Sequence, residues 1–398
     1  MTPAFSALAA ALLLAAPPPA PPPEPAPPLS RLEADALARA EARLPQRTRP
    51  VLSAPLVDAA RALARAAAAG APRPLSAHSL RAALGDAGVF DPAPAAVVLS
   101  APPSSLADAV ADAVGFRGAT HLGIGVEERG GLAWAVLLAT ERRAELAPVP
   151  RQVAPGGTVR LRGRLVRLDA PRVHVTSPSG AVREVPVRRD GDGFAADVTL
   201  AEPGTHRIEV GGTGARGPTV AALLDVSAGD PSPEEDAADV PDPVDDAAAE
   251  AIVVAAVDAL RVARGLAPLR REAALDAEAR RHSAAMLAAG TVAHRVAGGG
   301  DVASRVSAAG VAYRTARENV ARGDGAWDAH RAVTDSPAHR ANLLAPDVSL
   351  LGLGIARGRL PGGQPVTYLT EILVAPRDTE PAGASAPAGD RDGAAPVR

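Results

Sequence analysis

The chain of 398 residues contains no cysteine, and all 42 of its basic residues are arginine. The missing thiols exclude disulfide bridges and thiolate metal sites. Exclusive use of arginine reflects a compositionally biased genome and carries no functional message. Aromatic residues are only 2% of the chain, while much of its 47% hydrophobic content is alanine. Cores built from Ala, Val and Leu bury less area per residue, which predicts compact helices packed closely and few large cavities. The net charge is −3, with no dense basic block, so the phosphate footprint of a nucleic-acid binder is absent. No apolar run reaches the ~20 residues that a membrane-spanning helix needs.

A chain of this length exceeds one ordinary core, and 22% charged residues describe a globular protein of two or three domains. Residues 1–28 read as a signal peptide and Pro-rich spacer, because the apolar run from Ala4 to Ala16 suits a signal-peptide core, although no Lys or Arg precedes it. The expectation is export, to the extracellular space or the cell envelope. Without a cysteine after the run, a bacterial lipid anchor is excluded.

Residues 29–150 predict an α+β domain. Its first helix, SRLEADALARAEARL, has Ser30 placed to cap it and Glu33 three residues on. A second helix runs from Pro55 to Gly70, and HLGIGVEERGG with LAWAVLLATE reads as a β-hairpin. Residues 151–227 change to period-two alternation broken by Pro-Ser-Gly and Asp-Gly turns, which predicts an immunoglobulin-like β-sandwich. His174 and His206 fall in its strands and are expected on the solvent face. Residues 228–246, acidic and proline-rich, predict a solvated linker without the spacing of a calcium loop. Residues 247–376 return to helices and strands, and 377–398 predict a disordered tail.

The first and last domains share an order of motifs. PLVDAARALARAAAAG parallels LDAEARRHSAAMLAAG, SLRAALGDAG parallels DVASRVSAAG, and LGIGV matches LGLGI at the corresponding point. The pattern predicts a degenerate internal repeat. The first copy lacks the polar islands of the second, since His78 and His121 have no carboxylate placed as Glu318 is.

Those islands are His294 in TVAHRVAG, Glu318-Asn319 in RENVAR, and His339-Arg340 in SPAHRANLL. Histidine and carboxylate are the side chains that bind a divalent metal or pass a proton near neutral pH. Ser336 can cap a helix that begins at Pro337. Ser283 beside His282 invites a serine-hydrolase reading, but no G-x-S-x-G elbow accompanies it.

GLAPL, AEARRHSAAM, AHR, ENVA, SPAHRANLL, LGLGIA and TYLTEILV, in that order, resemble the bacterial members of the cysteine-rich secretory protein, antigen 5 and pathogenesis-related 1 family, called CAP. The resemblance spans roughly Ala249 to Pro376. It implies a CAP-type α-β-α sandwich at the C-terminus, a degenerate CAP-like copy at the N-terminus, and a cavity at His294, Glu318 and His339. Many eukaryotic members carry a second cavity glutamate; here Ser336 stands at its place and the adjacent Asp335 points elsewhere if Ser336 caps, so the set is incomplete. Three readings stay open: the three residues bind a divalent cation such as Zn2+, the cavity is a metal-free groove for a peptide, glycan or lipid, or the residues form a structural hydrogen-bond cluster. A binding or interaction role outranks catalysis, with a purely structural surface module as the alternative and a metal-assisted or serine hydrolase behind it.

Overall fold

The computed structural model describes residues 27–43, 49–113, 118–190, 193–232, 240, 242–359 and 365–377. The expected signal-peptide run and nearly all of the expected tail lie outside the described residues.

The N-terminal region comprises α1 (Arg31–Arg43), β1 (Val51–Leu52), α2 (Ala54–Ala68), α3 (Ala77–Asp86), β2 (Ala95–Ala101), α4 (Leu106–Ala113), β3 (His121–Arg129) and β4 (Leu132–Thr140). The cap expected at α1 forms in both directions: Glu33 N donates to Ser30 Oγ at 3.2 Å and Ser30 N donates to Glu33 Oε2 at 2.8 Å. The sheet has the order β1-β3-β4-β2, with β1 parallel to β3 and the other pairs antiparallel. Alternation along β3 and β4 sends Ile124 and Leu137 toward α1 and α4, and Val136 and Leu138 toward α2 and α3.

A β-sandwich follows, made of β5 (Ala144–Leu146), β6 (Gln152–Val153), β7 (Thr158–Leu165), β8 (Asp169–Thr176), β9 (Val182–Val185), β10 (Arg188–Asp190), β11 (Gly193–Thr199), β12 (Gly204–Gly214) and β13 (Gly217–Ala228). Its sheets have the orders β10-β11-β7-β5 and β6-β13-β12-β8-β9. Ala144–Leu146, expected in the first domain, pair instead with β7.

The C-terminal region comprises α5 (Asp246–Val262), β14 (Arg270–Arg271), α6 (Ala273–Ala289), α7 (Val302–Ala308), β15 (Tyr313–Gly323), α8 (Ala326–Asp335), α9 (Pro337–Leu343), β16 (Leu350–Arg359) and β17 (Pro365–Pro376). Its sheet, β14-β16-β17-β15, again pairs a short parallel edge strand with an antiparallel hairpin and a third long strand. One face carries α5, α8 and α9 over Leu351, Leu353 and Leu369; the other carries α6 and α7 over Leu350, Ile372 and Val374. The end of the acidic segment is built into this domain, not solvated throughout: Asp242 accepts from Ala326 N at 2.9 Å, and Asp245 caps α5 through Ala248 N at 2.9 Å.

Both end domains thus have one strand order and one distribution of helices over the two faces. The glycines of LGIGV and LGLGI have the same physical task. A Cβ at Gly123 or Gly125 would run into the backbone of α2 at Leu56 and at Ala60–Arg61, and one at Gly352 or Gly354 into the backbone of α6 at Leu275 and at Ala279–Arg280. The helix therefore lies directly on the strand. An arginine forked onto a buried glutamate recurs with it: Arg61 donates to Glu33 at 2.9 Å and 2.7 Å, and Arg280 to Glu250 at 2.9 Å and 2.6 Å.

Candidate functional site

The cleft histidines stand on segments that other side chains hold in place. His294 follows α6, whose left-handed Gly290 turns the chain. His282 Nε2, buried in α6, donates to Ala293 O at 2.9 Å, and Ala293 N lies 3.5 Å from Met286 Sδ. His282 and Met286 therefore hold the loop rather than face a ligand. Burial pushes the His282 imidazole pKa down.

Glu318 lies on β15 with its side chain buried. Its Oε2 accepts from His294 Nδ1 at 2.8 Å, and its Oε1 pairs with the Arg305 guanidinium from α7. Arg305 also donates to His294 O at 3.0 Å, and its Nε lies 3.2 Å from Glu278. Because a carboxylate only accepts, His294 carries a proton on Nδ1, so in the neutral ring the lone pair sits on Nε2. This is the arrangement by which a carboxylate fixes an imidazole tautomer.

His339 stands in the first turn of α9. Ser336 caps that helix as expected, accepting from His339 N at 3.3 Å, with Pro337 at its first position. The His339 and His294 ring centroids are 6.5 Å apart and tilted by 47°. No described residue hydrogen-bonds the His339 ring. The ring keeps part of its surface open, yet enough protein surrounds it that burial, and then the neighbouring His294, push its pKa down to about 3. It is neutral throughout the physiological range.

The three residues expected from sequence are thus brought together, in unequal roles. Both Glu318 oxygens are engaged, so two imidazoles, not three ligands, are presented to the cleft. Among the described residues no group of three or more His, Asp or Glu side chains is arranged to hold a metal ion. Two imidazoles on one zinc ion at the usual Zn–N distance of about 2.0–2.1 Å bring their centroids to roughly 5 Å; the observed pair is more open.

Beneath α9 lies a second histidine–carboxylate pair that the sequence did not announce. Glu371 on β17, fully buried, accepts from His330 Nδ1 at 2.9 Å and from Asn319 Nδ2 at 3.0 Å. Asn319 also donates to His339 O at 3.2 Å and accepts from Asn342 at 2.9 Å, which ties the ENV and SPAHRANLL motifs together. Ser283 is fully buried, its hydroxyl donating to Gly354 O at 2.9 Å beside Thr370 Oγ1 at 2.8 Å. This places it in the packing between α6 and the sheet.

The sandwich supplies one wall of the cleft. Gly217 packs against His294 so closely that a Cβ there would come within 2.9 Å of the histidine Cβ, and Arg295 N donates to Arg216 O at 3.1 Å. Glu209 on β12 receives the Ser336 hydroxyl at 2.5 Å. Asp335, next in line, binds Arg81 of α3 at 2.5 Å and Arg207 of β12 at 2.8 Å, so all three regions meet at Asp335–Ser336. A cavity of ≈ 3070 Å³ runs between these regions, lined by residues of all three. His174 and His206 depart from expectation: both are buried, His206 beside Ile208 and Val210 in the sandwich core and His174 on the face that lines the cleft.

The C-terminal domain is thus a three-layer α-β-α sandwich with two histidines facing one cleft. Residues 254–369 match the family model described as the cysteine-rich secretory protein family, CAP, so the C-terminal domain is a CAP domain within a longer α+β chain. No curated protein matches the chain. Among solved structures, an outer surface protein from Borrelia burgdorferi is 18% identical, with a TM-score of 0.28 and coverage of 32% of this chain and 92% of its own. An extracellular protein containing an SCP domain from Bacillus anthracis is 13% identical, with a TM-score of 0.29 and coverage of 59% and 89%. A cysteine-rich secretory protein from Staphylococcus aureus is 12% identical, with a TM-score of 0.26 and coverage of 59% and 89%. Among the described residues no helix is long and apolar enough to cross a membrane.

Proposed function

We propose that this is an exported CAP-domain binding protein whose ligand seats in the cleft at His294 and His339. One observation carries the reading: His294 is fixed through Nδ1 by a carboxylate that Arg305 neutralises, which leaves its Nε2 edge and a His339 ring that no described residue hydrogen-bonds on the same cleft. A structural network would use both imidazoles; here the buried His330–Glu371 pair has that character instead. Catalysis is the weaker reading, since Ser283 is sealed in the core. Export is supported by the apolar run at Ala4–Ala16, and the N-terminal region acts as a degenerate CAP-like copy that serves as scaffold, on the strength of the shared strand order and Glu–Arg pair. The ligand class is a peptide, glycan or lipid group rich in hydrogen-bond donors.

A second reading, in which the cleft takes Zn2+, is favoured by the orienting role of Glu318. His294 Nε2 and His339 would hold the ion, with Glu318 behind His294 and not as a third ligand. When bound, the ion would supply Lewis acidity toward a ligand carbonyl or carboxylate. Zinc titration of the full chain beside His294→Ala and His339→Ala tests it. Binding lost in both variants supports the second reading; equal binding by all three removes the ion from this cleft. Ring-nitrogen shifts of His294 and His339 on addition of candidate ligands test the first.

A further inference from the structure

Arginines along the sandwich are paired with carboxylates. Arg160 meets Asp197, Arg164 meets Glu145, Arg172 meets Glu184, and Arg207 meets Asp225. Arg264, just after α5, and Arg340 of α9 differ, since no described carboxylate pairs with either. Both reach the same turn of the sandwich, residues 177–180. Arg264 Nη2 donates to Ser179 O at 2.5 Å, and Arg340 Nε donates to Gly180 O at 3.3 Å. A Cβ on Gly180 would run into Arg264 Nη2 and come within 2.9 Å of Arg340 Nη2, so these two nitrogens lie no more than about 5 Å apart. The bare Gly180, at φ 79°, is what lets both guanidinium groups close on one point.

The carboxylates nearby are engaged elsewhere. Glu202 accepts from Ser179 N at 2.9 Å and from Ser179 Oγ at 3.0 Å. Asp335 is held by Arg81 and Arg207. Asp258 of α5 accepts from Leu269 N at 3.1 Å. Burial, and then the neighbouring Arg264, push the Arg340 pKa down, yet a guanidinium stays charged at any physiological pH. Holding one domain on another needs only N–H donors, and two like charges side by side oppose it. Each guanidinium gives the turn one of its N–H groups and keeps others. Arg340 and Gly180 line the cavity between the sandwich and the CAP domain, and Arg264 is half-buried, so the pair can be reached.

We propose that Arg264 and Arg340, closed on the 177–180 turn of the sandwich, form a seat for a dianionic phosphate group. Two nitrogens at this spacing can each donate to a different oxygen of one tetrahedral phosphate, through charge-assisted bonds of about 2.7–2.9 Å. A phosphate monoester carries about −1.5 to −2 charge at pH 7, which matches the pair, whereas a carboxylate or a sulfate ester brings a single charge. The inference stands apart from the reading of the His294–His339 cleft, because neither imidazole takes part. Free phosphate and a phosphate monoester share this chemistry.

The test titrates the full chain by calorimetry at pH 7.5 and fixed ionic strength with inorganic phosphate, methyl phosphate and methyl sulfate. Saturable binding of the phosphates is expected, the tighter of the two identifying the source, with methyl sulfate about tenfold weaker or more. Arg264→Gln, at a half-buried loop position, should weaken phosphate binding about tenfold or more. Arg264→Lys keeps the charge and loses the planar fork, and should fall between the two. Bound phosphate should also shift the guanidinium signals of Arg264 and Arg340 in nitrogen NMR and leave the His294 and His339 rings unmoved, a readout that needs no variant. No binding of either phosphate, equal binding by the Gln variant, equal binding of methyl sulfate, or shifts at the imidazoles in place of the arginines overturns the proposal. Binding that emerges only when Glu234, Glu235 and Asp236 are replaced by their amides also overturns it, because the chain's own carboxylates would then be the occupant.

Discussion

Replacing Glu209 by Gln should make the protein more stable at pH 8 and leave it nearly unchanged at pH 4.5. In the folded chain the carboxyl titrates near 7, against an ordinary value of 4.5. An acid whose folded pKa is raised binds its proton more tightly when folded, so stability falls as pH rises from 4.5 to 7 and is flat above. Each pH unit of that interval is worth about 1.4 kcal/mol, so the buried charge costs about 3 kcal/mol at pH 8. The amide keeps the acceptor for Ser336 and Ala338 and removes the charge, so the variant should gain on that order. His339 works in the opposite sense, since its pKa near 3 makes stability fall as pH drops below 6.5. That contribution is common to both proteins and cancels in their difference. Urea denaturation of the two full chains, followed by tryptophan fluorescence between pH 4.5 and 8, gives the difference curve directly. A gain that is equal at both ends of the range, or absent at pH 8, refutes the assignment of Glu209 as a desolvated, uncompensated charge.

Glu318→Ala removes one of the two carboxylates on the buried Arg305 guanidinium, Glu278 remaining, and unpairs His294 Nδ1, so it should cost about 1–3 kcal/mol by the same denaturation assay. Gly125→Ala and Gly354→Ala each force a methyl group into helix backbone, and each should cost at least the ~1–3 kcal/mol of core overpacking; a tolerated alanine at either site would mean the helix does not lie on the strand. The His339 ring signals should show no titration between pH 5 and 8 in an NMR series, and a midpoint near 6.5 would place the ring in open water.

Much of the fold was legible because it is written in local chemistry. Ser30 with Glu33 announces a helix start, Ser336-Pro337 another, and the paired glycines of LGIGV and LGLGI repeat because one close approach of helix to strand occurs twice. His294, Glu318 and His339 could be singled out because few other polar residues interrupt their surroundings. What remained hidden depends on one element meeting another far away in sequence. Arg305 and Glu278 look like surface charges until α7 folds over Glu318, and Glu209 looks like the polar half of an alternating strand until the CAP domain covers it. His174 was hidden for that same reason, since alternation separates the two faces of a strand without saying which face another domain will cover. His206 could have been placed, because it shares the parity of Ile208 and Val210.

The meeting of all three regions at Asp335 and Ser336 has a mechanical consequence. These residues join α8 to the short helix that carries His339, and they are gripped from outside by Arg81, Arg207 and Glu209. A force that draws the sandwich away from the CAP domain therefore pulls on the helix that carries His339, and through the Arg216–Arg295 bond on the loop that carries His294. Both histidines of the cleft thus stand on segments that the sandwich holds directly, and a change in how the domains sit together is passed first to the two rings.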